Sequence, residues 1–211
     1  MNAHKEEVWI KQCETAVKAL RANRIDARLA RTRDELFALI RELIPAGAKV
    51  SSGGSQTLLQ CGAAELLDRE FDYYFRGRKR EDGSLVDSER EAFHADWFVS
   101  SANAVTLNGE LYFRDGNGNR LAAVAFGPKN VLIIAGANKL VRDLHAAEER
   151  VMMTAAPANC VRLDKNTGCR KTGYCVNCKK EERICSLTLT CAFQQNAWRI
   201  HVILLPEELG F

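Results

Sequence analysis

The chain has 211 residues, 46% hydrophobic and 27% charged, enough apolar material for a single packed α/β domain over 1–211 and too much for a disordered chain. Its longest apolar stretch, Leu121 to Val141, is broken by Lys129 and Lys139 and lacks the about 18 clean residues of a membrane helix, while Lys5, Glu6, Glu7, Lys11 and Glu14 stand where a signal peptide needs an apolar segment. These features make the expectation a cytoplasmic protein with no membrane partner, and the net charge of +3 alone says little about partners.

From His4 to about Asn23, Val8, Cys13, Ala16, Val17 and Leu20 share one helical face. Ile25 to Ala30 reads as a short strand, and a second helix opens at Thr32, where Glu35 stands at capping-box spacing, and runs to Pro45-Ala46-Gly47. Ala48-Lys49-Val50 reads as a strand entering Ser51-Ser52-Gly53-Gly54-Ser55-Gln56-Thr57, with a helix from Leu58 to Asp68 behind it. Strand, Gly/Ser loop and helix in that order are the βα unit of an open parallel sheet.

Phe71 to Phe75 is a further strand, Arg76 to Asp82 a solvated loop, and Ser88 to Ala95 helical. Beyond Trp97, the runs Val105 to Leu107, Glu110 to Arg114 and Arg120 to Phe126 are separated by Asn108-Gly109 and by Asp115-Gly116-Asn117-Gly118-Asn119, which predicts a three-stranded β-meander. The continuous apolar run Val131 to Ala135 suits a strand buried on both faces, and Gly136-Ala137-Asn138-Lys139 links it to a helix marked by Leu140, Leu144, Ala147 and Val151 that ends near Pro157. Leu187 to Cys191 and Ile200 to Leu205 read as closing strands around a turn at Gln194 to Ala197.

Three constellations bear on chemistry. The Gly53-Gly54-Ser55-Gln56-Thr57 loop offers backbone N–H groups and hydroxyls at a helix start, which suits a phosphate or carboxylate or, equally, a tight turn capped by Ser or Thr. It matches neither a P-loop nor a dinucleotide fingerprint. Gly136 to Lys139 is a second strand-to-helix junction, where Lys139 adds a cation to the same crevice, or Asn138 caps the helix and Lys139 is solvated.

The third is Cys169-x5-Cys175-x2-Cys178-x6-Cys185, inside a segment from Val161 to Cys185 that carries seven cations against three acids. Four thiolates complete the shell of a zinc ion or an iron–sulfur cluster, and the local positive charge offsets the about −2 of either centre. The alternative is four reduced thiols or an adventitious disulfide. Cys160 and Cys191 flank the segment as substitute ligands, and Cys13 and Cys61 belong with the core. His94, His145 and His201 are isolated, so a hydrolytic triad is unsupported, and Tyr174 is the lone stacking aromatic of the segment, which argues against nucleic acid.

The stretches Gly53 to Leu58, Asn103-Ala104-Val105-Thr106, Gly118-Asn119-Arg120, Phe126 to Val131, Gly136 to Lys139, and Glu149-Arg150 to Ala156-Pro157 together resemble the LUD domain family, which includes lactate-utilisation proteins. The similarity runs in order from Lys5 to Phe211, and the segment 160–191, with Arg183-Ile184-Cys185, is similar to a subgroup with a C-terminal cysteine cluster.

The resemblance implies an α/β fold like that of glucosamine-6-phosphate deaminase, ribose-5-phosphate isomerase and CoA transferases: an open sheet with helices on both faces, here with a meander insertion and a C-terminal Cys-rich segment. It implies a role in oxidising L-lactate or a related organic acid beside iron–sulfur or flavin partner proteins, and it allows a homodimer. It nominates Gly53, Gly54, Ser55, Thr57, Asn103, Thr106, Asn119, Arg120, Lys129, Asn138 and Lys139 as ligand-binding residues for a small anionic metabolite. Cys169, Cys175, Cys178 and Cys185 are the nominated ligands of a 4Fe-4S cluster, with zinc as the alternative. No glutamate nucleophile or isomerase acid/base set is matched, so catalysis stays open. The rival expectation is an isomerase or acyl-CoA-transfer enzyme in which zinc only staples the segment.

Overall fold

The computed structural model describes residues 3–211. Six parallel strands form a central sheet in the order β1 (Asp26–Leu29), β10 (Ile200–Leu205), β7 (Asn130–Gly136), β4 (Trp97–Ser100), β2 (Lys49–Ser52) and β3 (Asp72–Tyr74). The middle strands are nearly continuously apolar because both of their faces are covered. Side chains alternate as the pleat requires: Val131, Ile133, Ala135, Val202 and Leu204 face one core, and Leu132, Ile134, Ile203 and Leu205 face the other. The fold class matches the sequence reading, with an open, mostly parallel sheet flanked by helices.

Helix α1 (Ala3–Ala22) packs on the first face through Cys13, Ala16, Val17 and Leu20, joined there by α6 (Asn119–Phe126). The second face is covered by α2 (Arg33–Leu43), α3 (Gln56–Gln60) and α4 (Ala63–Glu70), and the stretch expected to be helical from Ser88 forms the short α5 (Ser88–Glu91) followed by a 3-10 turn (Ala92–His94). Thr32 caps α2 by accepting from Glu35 N–H, and Glu35 reaches back to Arg31 N–H rather than to the cap residue. The helix foreseen from Leu58 to Asp68 breaks at Cys61-Gly62, where Gly62 takes a left-handed conformation.

A second sheet has the order β8 (Leu140–Val141), β5 (Ala104–Thr106), β6 (Leu111–Asp115) and β9 (Leu187–Cys191). Its hairpin at Asn108-Gly109 is as expected, and Gly109 is required there: at φ +82, a Cβ would lie 2.4 Å from the Ala19 carbonyl carbon of α1. The expected third meander strand is instead α6. Leu121 and Val124 stand three apart on its buried face, and the free edge of β6 is taken by β9, about 70 residues further on.

The helix expected after Gly136 also differs. Ala137–Lys139 is one 3-10 turn, Leu140 belongs to β8, and α7 (Leu144–Arg150) starts at Asp143, whose carboxylate accepts from Ala146 N–H in place of the expected cap Asn138. It does not end at Pro157: a π-helical turn (Val151–Ala155) leads without a break into α8 (Ala156–Arg162), and the Met152 carbonyl, which Pro157 has no N–H to serve, accepts from Cys175 N–H instead. Among the described residues no helix is long and apolar enough to cross a membrane.

Candidate functional site

Consecutive strands of the central sheet change direction between β2 and β4: β2 leads outward to β3, and β4 leads the other way to β7 and β10. The crossing helices α3 and α4 lie on one face and α6 on the other, so the chain parts beyond the carboxyl ends of these strands. Open α/β sheets bind ligands at such a switch point. A crevice of about 350 Å³ lies there, lined by Gly53-Gly54-Ser55 after β2, Ser101 to Asn103 after β4 and Lys139 after β7. That is room for a small metabolite.

Lys139 is at its floor. Its side chain is buried, 4% of the residue being exposed, and Nζ donates to Thr57 Oγ1 at 2.8 Å and to Ser101 Oγ at 2.9 Å. Among the described residues no carboxylate pairs with it. Burial, with the Arg150 and Arg120 cations nearby, pushes its pKa down to about 7.

Half-buried Arg150 likewise meets only neutral acceptors, the Asn138 carbonyl at 3.0 Å and the Asn103 carbonyl at 2.6 Å. Burial lowers its pKa to about 10, offset in part by Glu208. Arg120 differs in having an acid partner. It donates to Asp115 Oδ1 at 2.9 Å, Asn103 Oδ1 at 2.8 Å, the Ser101 carbonyl at 3.1 Å and the Arg114 carbonyl at 2.9 Å, so it holds the wall rigid rather than reaching for a ligand. Asn103 Oδ1 also accepts from Arg114 N–H, and among the described residues its Nδ2 donor has no partner.

The C-terminal residues close one side. Asn138 Nδ2 donates to the Gly210 carbonyl, Leu209 N–H donates to Asn138 Oδ1, Thr57 Oγ1 donates to the Leu209 carbonyl, and Gly210 N–H donates to Gln60 Oε1. Gly210 has φ +62, and a Cβ there would lie 2.6 Å from Thr57 Oγ1 and 3.3 Å from Lys139 Nζ, so only glycine lets the strap approach the lysine.

The far wall is the cysteine segment. Glu181, Glu182, Arg183 and Ile184, between Cys178 and Cys185, line the crevice together with Arg162 and Lys165. Arg183 is held by the Cys178 carbonyl at 3.1 Å, Arg114 by the Cys185 carbonyl at 3.2 Å, and Ser186 N–H donates to the Asp115 carbonyl at 2.7 Å. Seven cationic and three acidic side chains line the cavity in all.

Of the residues nominated from sequence, Gly53, Gly54, Ser55, Thr57, Asn103, Asn119, Arg120 and Lys139 line this crevice. Three others do not. Thr106 is buried in the β5–β6 hairpin, bonded to Glu110, because it stands at the far end of a strand in the second sheet. Lys129 precedes β7 and is exposed at the opposite edge of the central sheet, beside Phe126 and Trp198. Asn138 acts from outside, by holding the strap. Ser55 spends its hydroxyl capping α3 through Leu58 N–H, and Ser51 and Ser52 are buried beneath the loop, bonded to the Tyr74 and Ser88 carbonyls and to Tyr73 OH.

Sequence reasoning missed Ser101, Arg114, Asp115 and Arg150. Arg150 lies in the family-like stretch Glu149 to Pro157, but its side chain carries no local signal; Ser101 follows a strand with nothing to mark it.

The nominated thiols are free: Cys169 is buried, while Cys175, Cys178 and Cys185 are half-buried. Cys169 and Cys185 both lie within electrostatic reach of Cys160, whose thiol burial pushes up to about 11. Cys191 packs in the core between the sheets, away from the segment. The donor types suit a four-thiolate centre, yet among the described residues no three or more Cys, His, Asp or Glu side chains converge to hold a metal ion.

A LUD domain family model matches residues 13–205. No curated protein matches the chain. Among solved structures, the chain is similar to a DUF162 family protein from Deinococcus radiodurans, with 12% identity and a TM-score of 0.51 over 95% of this chain and 98% of that one. At that identity the likeness concerns the fold.

Proposed function

The chain belongs to the LUD domain family, which supports a lactate-utilisation-type protein, and from that premise we propose that the crevice binds a small organic anion, a carboxylate or a phosphate, in L-lactate or related organic acid metabolism. One observation carries the reading: Lys139 at the crevice floor has only hydroxyls as hydrogen-bond partners, and Arg150, whose charge reaches it from behind the lining, has only carbonyls. Buried charge without a counter-charge costs several kcal/mol, and an anion in the crevice removes that cost. The unpartnered Asn103 amide and the Gly53-Gly54 backbone supply uncharged donors around it. Thermal unfolding in low-anion buffer with L-lactate, pyruvate or phosphate added tests this. An anion that binds with millimolar Kd stabilises by about 2.7 kcal/mol at a hundredfold excess over Kd. Equal unfolding temperatures with and without each of them refute the reading.

We assign the cysteine segment, as a separate proposal, to a 4Fe-4S cluster on Cys169, Cys175, Cys178 and Cys185, which makes the protein an accessory or redox subunit working with iron–sulfur or flavin partners. Its support is the donor chemistry, the cationic surroundings and the family resemblance. Such a cluster supplies one-electron transfer when bound. The protein's own contribution is a wall that joins the Cys178–Cys185 loop to the crevice through Arg183 and Arg114.

Anaerobic purification with iron, zinc and acid-labile sulfide assays, on wild type and a Cys175→Ser/Cys178→Ser double variant, decides it. About four iron and four sulfide per chain, lost in the variant, support the cluster. One zinc per chain favours the rival enzyme with a structural staple, and neither metal after reconstitution removes the redox role.

A further inference from the structure

We propose that Lys139 forms an imine with the carbonyl carbon of an anion bound in the crevice, either a 2-oxo acid or a phosphorylated aldehyde or ketone. The inference deepens the anion-site reading and rests on it. Its ground is the direction of hydrogen bonds at Nζ. Thr57 Oγ1 has the Leu209 carbonyl as an acceptor at 3.3 Å, and Ser101 Oγ has the Ala102 carbonyl at 3.4 Å. Nζ donates to both hydroxyls, at 2.8 and 2.9 Å.

Two N–H bonds of a tetrahedral nitrogen are thus fixed. In the neutral amine the remaining position is the lone pair, and the residue lines the open crevice. A lysine with no carboxylate partner, desolvated and beside other cations, is the environment in which this side chain becomes a nucleophile. Arg150 and Arg120, whose charges reach Nζ, favour an anionic group on the same substrate and disfavour the ammonium form.

The step balances within the site. The Nζ lone pair bonds to the carbonyl carbon as the C=O π pair moves to oxygen. The two hydrogens held by Thr57 and Ser101 pass to that oxygen, which leaves as water, and C=N replaces C=O. No oxidant is needed. The amine is regenerated by water.

The test is borohydride trapping at pH 7.5 on the full chain, with pyruvate, with dihydroxyacetone phosphate, and with L-lactate, which has no carbonyl, as the control. Hydride reduces an imine to a stable secondary amine that peptide mapping assigns to one lysine, without any variant. A surface lysine is only about 0.1% neutral at this pH, so adduct at Lys139 is expected at least on the order of tenfold above any other lysine.

Adduct with pyruvate identifies a 2-oxo acid, and adduct with dihydroxyacetone phosphate a phosphorylated carbonyl. Lys139→Arg keeps the charge and is expected to abolish trapping. Thermal stabilisation by these anions with no adduct at Lys139, or with adduct spread evenly over surface lysines, overturns the imine and leaves the anion site standing. Neither stabilisation nor adduct overturns both.

Discussion

Lys139→Met converts the buried charge into a measurable quantity. The lysine's pKa falls from 10.5 to about 7 on folding, chiefly through burial. A base with a lowered folded pKa binds fewer protons in the native state than in the unfolded state between those two values. Stability therefore rises with pH across the window, and the contribution is lost as pH falls through 7.

At about 1.36 kcal/mol per pH unit, the protonated lysine costs the ligand-free fold about 5 kcal/mol at pH 6 and nearly nothing at pH 10.5. Methionine fills similar space and carries no charge. It gives up the two hydrogen bonds to Thr57 and Ser101, about 1 kcal/mol each, since both hydroxyls keep their carbonyl acceptors. The net expectation is about 3 kcal/mol of stabilisation at pH 6, reversing to a loss of about 1–2 kcal/mol near pH 10.5.

For a chain of this length 1 kcal/mol moves Tm by about 2–4 °C, so the variant should melt about 6–12 °C above wild type at pH 6. Circular dichroism melts from pH 6 to 10 in low-anion buffer read this directly. A Tm difference that does not change with pH, or a variant less stable than wild type at pH 6, refutes the buried-charge argument. Added anion should stabilise wild type and leave the variant nearly unchanged.

Two further outcomes are expected. Gly54→Val should fold as wild type, because Gly54 has an ordinary φ and a Cβ there meets nothing within 4 Å, yet it should weaken anion binding by at least about tenfold by crowding the crevice, as titration calorimetry would read. Arg120→Lys should cost about 2–4 kcal/mol in urea denaturation, because an ammonium cannot span Asp115, Asn103 and the Ser101 and Arg114 carbonyls together; a loss under 1 kcal/mol would show that the wall does not depend on it.

Local chemistry made much of the scaffold legible. Val131 to Ala135 could be a strand buried on both faces because its apolar run is continuous, and Asn108-Gly109 is a turn because few residues accept its backbone. Gly53-Gly54 and Lys139 were legible as strand-to-helix junctions, and a parallel sheet carries its junctions to one edge.

The misreadings share one cause. Asn119 to Phe126 is a short apolar run whose period suits either a strand or a helix, and β9 arriving at the edge of β6 excluded the strand. Lys129 and Lys139 stand at the two ends of the same strand, so ten residues put one at the crevice and the other at the opposite edge of the sheet.

The sequence by itself determined most of the parallel-sheet strands, the two-faced core and the family. Tertiary structure alone decided which charges meet. The partners of Lys139 come from Thr57 and Ser101, 82 and 38 residues away, and its lack of a carboxylate is a property of the packed neighbourhood. Hydrogen bonds and Coulomb fields act over a few ångströms of space, whatever the separation along the chain.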